Sequence, residues 1–229
     1  MRKVIFAIAV ATSFTATAQT TTPQGFDAMM QKQTKEMEDM KPKFGFKAGY
    51  NIAKINGKAA NFSPDTKNGF TIAAFYSAGP RSGLGYRTEL VFSRQGFEFT
   101  ADGKTAAVTN DYIYMPHFTT FGIGKFFQVQ VGGQLGYLLK SSKEASSDSK
   151  SQDITSFANR LDYGAAAGVE IYPVKHLILG GRYNISFGNA YKRMTESSTT
   201  MPSPFPLPFN PDEVKGKNAV INFFVGFRF

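Results

Sequence analysis

The sequence predicts an all-β chain forming an eight-stranded antiparallel transmembrane up-and-down β-barrel. Three observations lead there. Eight stretches alternate apolar and polar residues with the period of two that a strand imposes. The apolar face of each, as read, carries no charge. The connections alternate between short turns and long polar segments, which is how outer-membrane barrels are strung together. A soluble barrel with an apolar interior would sort its faces in the same way; the connections and the glycine-rich charged face favour the membrane barrel.

Average composition alone points elsewhere. The chain has 229 residues, enough for one domain, and is 42% hydrophobic with a mean hydropathy of -0.23, values ordinary for a soluble globule. No run of eighteen apolar residues follows the N-terminus, which excludes transmembrane helices. A barrel escapes that test because only every second residue of a strand faces lipid. The absence of cysteine removes disulfides, lipoprotein attachment and thiol chemistry.

The first eighteen residues have the layout of a secretory signal. Arg2 and Lys3 are followed by the apolar run Val4 to Ala11 and a small-residue cleavage site, Ala16-Thr17-Ala18. Residues 1–18 are therefore expected to be removed on export and 19–42 to form a periplasmic tail or short helix. Met29, Met30, Met37 and Met40 in that segment have loosely helical spacing, which leaves a partner-binding helix open. The formal charge of +9 is scattered over strands and loops of an exported chain, so nucleic-acid binding is not expected.

From Lys43 to Phe229 the strands follow in order. The first sets Phe44, Phe46, Ala48, Tyr50 and Ile52 against Lys43, Lys47 and Asn51. The second carries Phe70, Ile72, Ala74 and Tyr76. After the turn Ala78 to Gly83, the third sets Leu84, Tyr86, Thr88, Leu90 and Phe92 against Arg87, Glu89 and Ser93. The fourth is read with Tyr112, Tyr114, Pro116 and Phe118 as its apolar face, opposed by Ile113, Met115 and His117. The fifth opposes Phe127, Val129, Val131, Leu135, Tyr137 and Leu139 to Gln128, Gln130 and Gln134. The sixth opposes Leu161, Tyr163, Ala165, Ala167, Val169 and Ile171 to Arg160, Asp162 and Glu170, and the seventh opposes Leu177, Leu179, Tyr183 and Ile185 to Arg182 and Asn184.

The eighth strand, Asn218 to Phe229, ends the chain on an aromatic residue. Phe223, Phe227 and Phe229 fall on its apolar face, the form of signal read by bacterial outer-membrane assembly machinery. Short turns are expected at Ala78 to Gly83, Gly122 to Lys125 and Pro173 to His176. Long external loops are expected at Ala53 to Lys67, Phe97 to Asn110, Lys140 to Ala158 and Gly188 to Lys217. Tyr50, Tyr112, Tyr137 and Tyr163 near one rim and Tyr76 and Tyr86 near the other would form aromatic girdles.

The runs GYRTELVFSRQG, DYIYMPHF, VQVGGQLGYLL, RLDYGAAAGVEIY, LGGRYNISFGN and the terminal GFRF resemble the PorT-type outer-membrane β-barrel family over Lys43 to Phe229. The resemblance implies an eight-stranded outer-membrane barrel. Its founding member is associated with secretion across the outer membrane and with gliding, but fold alone does not transfer a role. Tyr114 stands where relatives often have Glu.

Lys47, Arg87, Glu89, Arg160, Asp162, Glu170, Arg182 and Arg228 are expected to face the lumen. An eight-stranded interior is only wide enough to be filled by side chains, and buried charges must be paired, so these residues are expected to form a structural charge network. His117 and His176 lack an adjacent serine and acid, and no metal-ligand spacing occurs, so no catalytic residue, cofactor or metal is expected. Two other classes remain open: a lipid-modifying barrel enzyme and a soluble lipocalin-like barrel. Expected partners are outer-membrane lipid, the assembly machinery and a protein met through the external loops. The Pro-rich segment with Phe205, Leu207 and Phe209 is the candidate partner loop, or else a flap over the barrel mouth.

Overall fold

Alternating side chains force a strand to present two different faces, and closing the sheet gives each face one environment. The computed structural model describes residues 23–57, 64–80, 82–101, 104–144, 151–192 and 216–229. Its strands are β1 (Lys43–Asn56), β2 (Pro64–Ala78), β3 (Gly83–Ala101), β4 (Lys104–Ile123), β5 (Phe127–Glu144), the two-residue β6 (Gln152–Asp153), β7 (Leu161–Ile171), β8 (Leu177–Ser186) and β9 (Lys217–Arg228). All pair antiparallel. The eight long strands form a ring in the order β1, β2, β3, β4, β5, β7, β8, β9, while β6 extends the far end of β5.

The ring closes between first and last strands, with Phe46 opposite Phe227, Ala48 opposite Val225 and Tyr50 opposite Phe223. No long strand is left with an unpaired edge, the condition for crossing hydrocarbon with strands. The turn from β2 to β3 is made by Gly79 (φ 105°) and Gly83 (φ 99°), a backbone conformation open mainly to glycine. The outward face carries exposed Phe46, Ile72, Leu90, Leu135, Val169 and Val225, with no water-seeking function of their own. The inward face carries Lys47, Arg87, Glu89, Glu170 and Arg182, all buried.

Helix α1 (Pro23–Met40) precedes the barrel in the chain, and as far as Met37 it belongs to a separate unit. Phe26, Met29, Met30 and Met37 are exposed on it.

The structure corrects the sequence reading in three places. First, β4 has the opposite phase. Tyr112, Tyr114, Pro116 and Phe118 point inward, and Ile113, Met115 and His117 point outward. Both faces of this stretch are apolar, so alternation alone does not choose between them. The lumen chooses: Phe118 lies under the Arg182 guanidinium, 4.3 Å from ring centroid to carbon, and the Tyr114 hydroxyl donates to Asp162 at 2.7 Å. Tyr112 is accordingly no girdle residue but a lumen residue, only 1% exposed.

Second, three of the four segments expected as long loops are largely strand or turn where they are described, while most of the fourth, Gly188 to Lys217, lies outside the described residues. Phe97 to Asn110 runs as an unbroken ladder to the pair Ala101 and Lys104, with Phe97 opposite Val108. β1 and β2 likewise extend into the expected loop 53–67, and β5, β6 and a 3-10 turn (Thr155–Phe157) occupy most of 140–158. The polar residues there read as loop because their outward neighbours lie beyond the apolar belt. Third, Arg160 is exposed rather than in the lumen. It precedes the first ladder residue of β7 and donates from Nη1 to the carbonyls of Leu138 and Leu139, each at 3.2 Å.

The phase of β4 has a measurable consequence. Met115→Arg puts a cation on the outward apolar belt and is expected to cost about 2–4 kcal/mol if that position lies at the bilayer midplane. Urea titration followed by gel mobility of unboiled protein measures it. A loss comparable to that of an exposed-loop substitution would contradict the outward assignment.

Candidate functional site

The lumen holds the chemistry, and it is built in layers. Lys47 on β1 projects between two carboxylates, 2.5 Å from Glu89 on β3 and 2.7 Å from Glu170 on β7. Arg182 on β8 forks onto Glu89 with both contacts at 2.9 Å, a bidentate geometry that fixes orientation as well as charge. Arg87 on β3 donates to Glu170 at 2.5 Å, and to Gln128 and the Tyr172 hydroxyl at 3.0 Å each. Tyr172 donates to the second oxygen of Glu170 at 2.6 Å. Gln130 joins the two halves, donating to Glu170 at 3.3 Å and accepting from Arg182 at 3.2 Å.

Aromatic rings complete this layer. Lys47 lies 5.0 Å from the Phe75 centroid and 4.7 Å from that of Phe224, and Arg87 lies 4.7 Å from Phe75. Such faces attract cations that have been taken out of water. The room for them comes from glycine: a Cβ at Gly180 would meet the Phe224 ring at 2.5 Å, and one at Gly45 would strike the Phe75 ring.

Towards the opposite end from the short turns the lumen becomes polar but uncharged. Asn51 donates to Ser93 and to the carbonyls of Phe70 and Arg94, at 3.0 Å each, and accepts from Asn222. The exception is Asp162, which accepts from Tyr114 and Ser186 at 2.7 Å and from Asn218 at 3.2 Å. Three donors on one carboxylate compensate its burial without a cation. Between the charged layer and Asp162 lies a cavity lined by Glu89, Ser93, Gln134, Arg182 and Asn222, among others, with about 40 Å³ available to water centres. At ~10–15 Å³ per water this holds about three molecules.

Beyond Asp162 an apolar cap fills the mouth: Ile55, Phe97, Phe99, Val108, Tyr112, Leu138, Ile154 and Tyr191 form one buried cluster. Ile154 and Tyr191 come from connecting segments, and the backbone pins them there. Ile154 N–H donates to Ser141 O at 2.9 Å, Lys192 N–H to Phe157 O at 2.9 Å, and the Asn159 amide to Asn189 O and Tyr191 O at 2.8 and 3.0 Å. Nothing in the alternation of the flanking strands marks this cap; Phe97, Phe99 and Val108 were within an expected loop, and only their own period of two signals it.

Of the eight expected lumen charges, five thus meet in one network: Lys47, Arg87, Glu89, Glu170 and Arg182. Asp162 has its own set of partners, and Arg160 is outside. Arg228 is buried near the short-turn end, donating to Lys175 O at 3.2 Å with its guanidinium carbon 4.5 Å from the Tyr172 centroid. Tyr114 supplies a donor to Asp162. His117 faces outward and shares a 2.5 Å hydrogen bond with Tyr86, while His176 Nδ1 meets Arg228 O at 2.7 Å. Among the described residues no three His, Cys, Asp or Glu converge as metal ligands.

A family profile described as outer membrane protein beta-barrel domain matches residues 24–192. The chain belongs to that family. This outer-membrane barrel therefore has its outward belt in lipid, although the matched region stops before β9, the strand that closes the ring. No curated protein matches the sequence. Among solved structures, the barrel is similar to the attachment invasion locus protein Ail of Yersinia pestis in complex with the heparin analogue sucrose octasulfate, at 15% identity over 83% of this chain and 100% of that one, TM-score 0.46. Neisserial surface protein A is similar at 14% identity over 81% and 97%, TM-score 0.49. OprG of Pseudomonas aeruginosa is similar at 11% over 82% and 95%, TM-score 0.44.

On the outer-membrane barrel, Phe223, Phe227 and Phe229 project outward. The Phe229 N–H donates to Phe44 O at 2.9 Å, and its ring meets those of Phe227 and Phe46 edge-on at 5.3 and 6.2 Å. The segment with Phe205, Leu207 and Phe209, like residues 1–18, lies outside the described residues.

The charge layer should behave as a unit. Glu170→Gln leaves Lys47 and Arg87 short of a counter-charge in a buried layer and is expected to cost about 3–5 kcal/mol, the usual loss on breaking a buried pair. Adding Lys47→Met should recover part of it. Urea midpoints of the folded band measure both, and strict additivity of the two losses would argue against coupling.

Proposed function

We propose that this protein is a closed, non-enzymatic outer-membrane barrel that acts through its external rim and connecting segments, in a surface or secretion-linked role of the kind the PorT resemblance implies. The observation that supports this reading is the filling of the lumen among the described residues: a paired charge layer and an apolar cap, with a cavity between them that has room for about three waters. In this reading residues 1–18 are removed on export, the short turns face the periplasm, and the loop Gly188 to Lys217, through Phe205, Leu207 and Phe209, meets a protein partner. The outward His117 is engaged with a tyrosine and not with a serine or carboxylate, which favours a non-catalytic role over lipid modification.

Planar-bilayer recording tests the closed state. Purified protein is expected to give no steady conductance, and sustained channel openings would replace the closed-barrel reading with a pore. Unchanged lipid A in a deletion strain is expected as well; a missing acyl or phosphate modification would restore the enzyme.

The terminal aromatic is assigned to assembly. Phe229→Ala keeps the backbone hydrogen bond to Phe44 and removes only the ring, so it separates recognition from ladder closure. Folded barrel in outer-membrane fractions is expected to fall several-fold, with the stability of the molecules that do fold nearly unchanged. Normal levels would show that the strand closes the ring without serving as the signal.

A further inference from the structure

The outward wall across β1 to β4 is not smooth. Small Ala74 lies among Phe46, Ile72, Leu90, Phe92 and Ile113, leaving an apolar groove of about 470 Å³, within the ~300–1,000 Å³ range of small-molecule sites. Three of these strands, β2, β3 and β4, lead out of the groove towards the long-connection rim. One outward position further on each stand Phe70, Arg94 and Asp111.

These three form a fixed unit. Phe70 continues the wall of Phe92, with centroids 5.9 Å apart. The Arg94 guanidinium carbon lies 5.4 Å from the Phe70 centroid. Asp111 holds that guanidinium by two 2.8 Å hydrogen bonds, from Nε and Nη2, which sets its plane and leaves Nη1 for another acceptor. Lys140 is the register partner of Asp111 on β5 and is exposed. It shares its field with Asp153, as does Arg160, and Glu144, paired with Lys67 at 3.0 Å, acts on Arg94 as well, so four cations face three carboxylates along this stretch of rim.

We propose that this wall is a binding site for one acylated, phosphorylated lipid of the outer leaflet. One acyl chain lies in the groove over Ala74, and a head-group phosphate meets Arg94 with Lys140. The belt of an outer-membrane barrel is always covered by chains; what marks this wall is the continuity of a chain-sized groove with a cation whose orientation is fixed at the interface. An Arg held in this way accepts a phosphate with little ordering cost. The groove selects for a chain, the rim for an anion, and their spacing along the same strands for a molecule that carries both.

The chain contains no tryptophan, so one introduced indole reports alone. Met115→Trp sits on the outward face of β4 next to Ile113 and outside the groove lining. Tyr183→Trp lies outward on β8, across the ring from β3. Each folded variant is placed in phosphatidylcholine vesicles containing a small fraction of dansyl-labelled bis-phosphorylated lipid A, and energy transfer from tryptophan is recorded. Transfer is expected to be several-fold greater at position 115 than at 183. The excess should vanish with dephosphorylated lipid A, fall with Arg94→Gln or Lys140→Gln, and vanish with Ala74→Phe, which fills the groove. Equal transfer at the two positions would overturn the site. An excess retained by dephosphorylated lipid A would overturn the head-group assignment, and this arm requires no variant beyond the reporter.

Discussion

Closure of eight strands into a ring is the constraint on which the rest of this molecule depends. A ring of that size encloses a space that side chains must fill themselves, so no charge inside it can rely on bulk water. Lys47 therefore stands between Glu89 and Glu170, Arg182 forks onto Glu89, and Arg87 is held by Glu170, Gln128 and Tyr172. The same constraint sets the glycines. Gly45, Gly136 and Gly180 each back onto an aromatic ring, of Phe75, Tyr114 and Phe224 respectively, so that ring and charge share a cross-section too narrow for two full side chains.

The lumen then changes character along its axis for a reason. A layer of buried ions is stabilised by partners on five different strands, and those partners are available only where all the strands face one another. Towards the mouth the strands run past the ring as hairpins, and the filling is taken over by residues from connections, Ile154 and Tyr191 among them. These have no charge to satisfy, and backbone hydrogen bonds such as Lys192 to Phe157 hold the segments in place. Asp162 sits at the boundary. Neutral donors suffice there because Tyr114, Ser186 and Asn218 converge on it from three strands.

How much of this is legible in the sequence depends on contrast between faces. Where a strand opposes Arg or Glu to Phe or Leu, as β3 and β7 do, both the strand and its phase are readable. β4 offers no such contrast: Tyr112, Tyr114 and Phe118 compete with Ile113 and Met115, and the larger aromatics are needed inside to back Arg182 and reach Asp162. Arg160 fails differently. Its parity matches Asp162 and Glu170, but it stands at the rim end of β7, before the first ladder residue, where its long side chain reaches the carbonyls of Leu138 and Leu139 instead of the lumen. The strand extensions were hidden because above the lipid belt an outward residue has no reason to be apolar, so Thr, Asp and Lys there look like loop. What the sequence conceals entirely is which charge meets which, since single contacts in the network reach across as many as 123 residues, from Lys47 to Glu170.

The pairing inside also determines where the positive charge of this chain must act. Lys47, Arg87 and Arg182 are balanced within the lumen by Glu89, Glu170 and Asp162. Among the described residues Arg228, near the short-turn rim, is the one further buried cation, and the other Lys and Arg side chains are at least partly exposed. Exposed charge at an interface still interacts over roughly 8–10 Å before salt screens it, far more than it would if neutralised in the lumen. A barrel that satisfies its interior with its own groups leaves its exterior cations, Arg94, Lys140 and Arg160 among them, as the part of the molecule free to engage anionic neighbours. The specificity of such a surface comes from how rigidly each cation is held, and of these three Arg94 is the one fixed by a two-pronged carboxylate pair against an aromatic face.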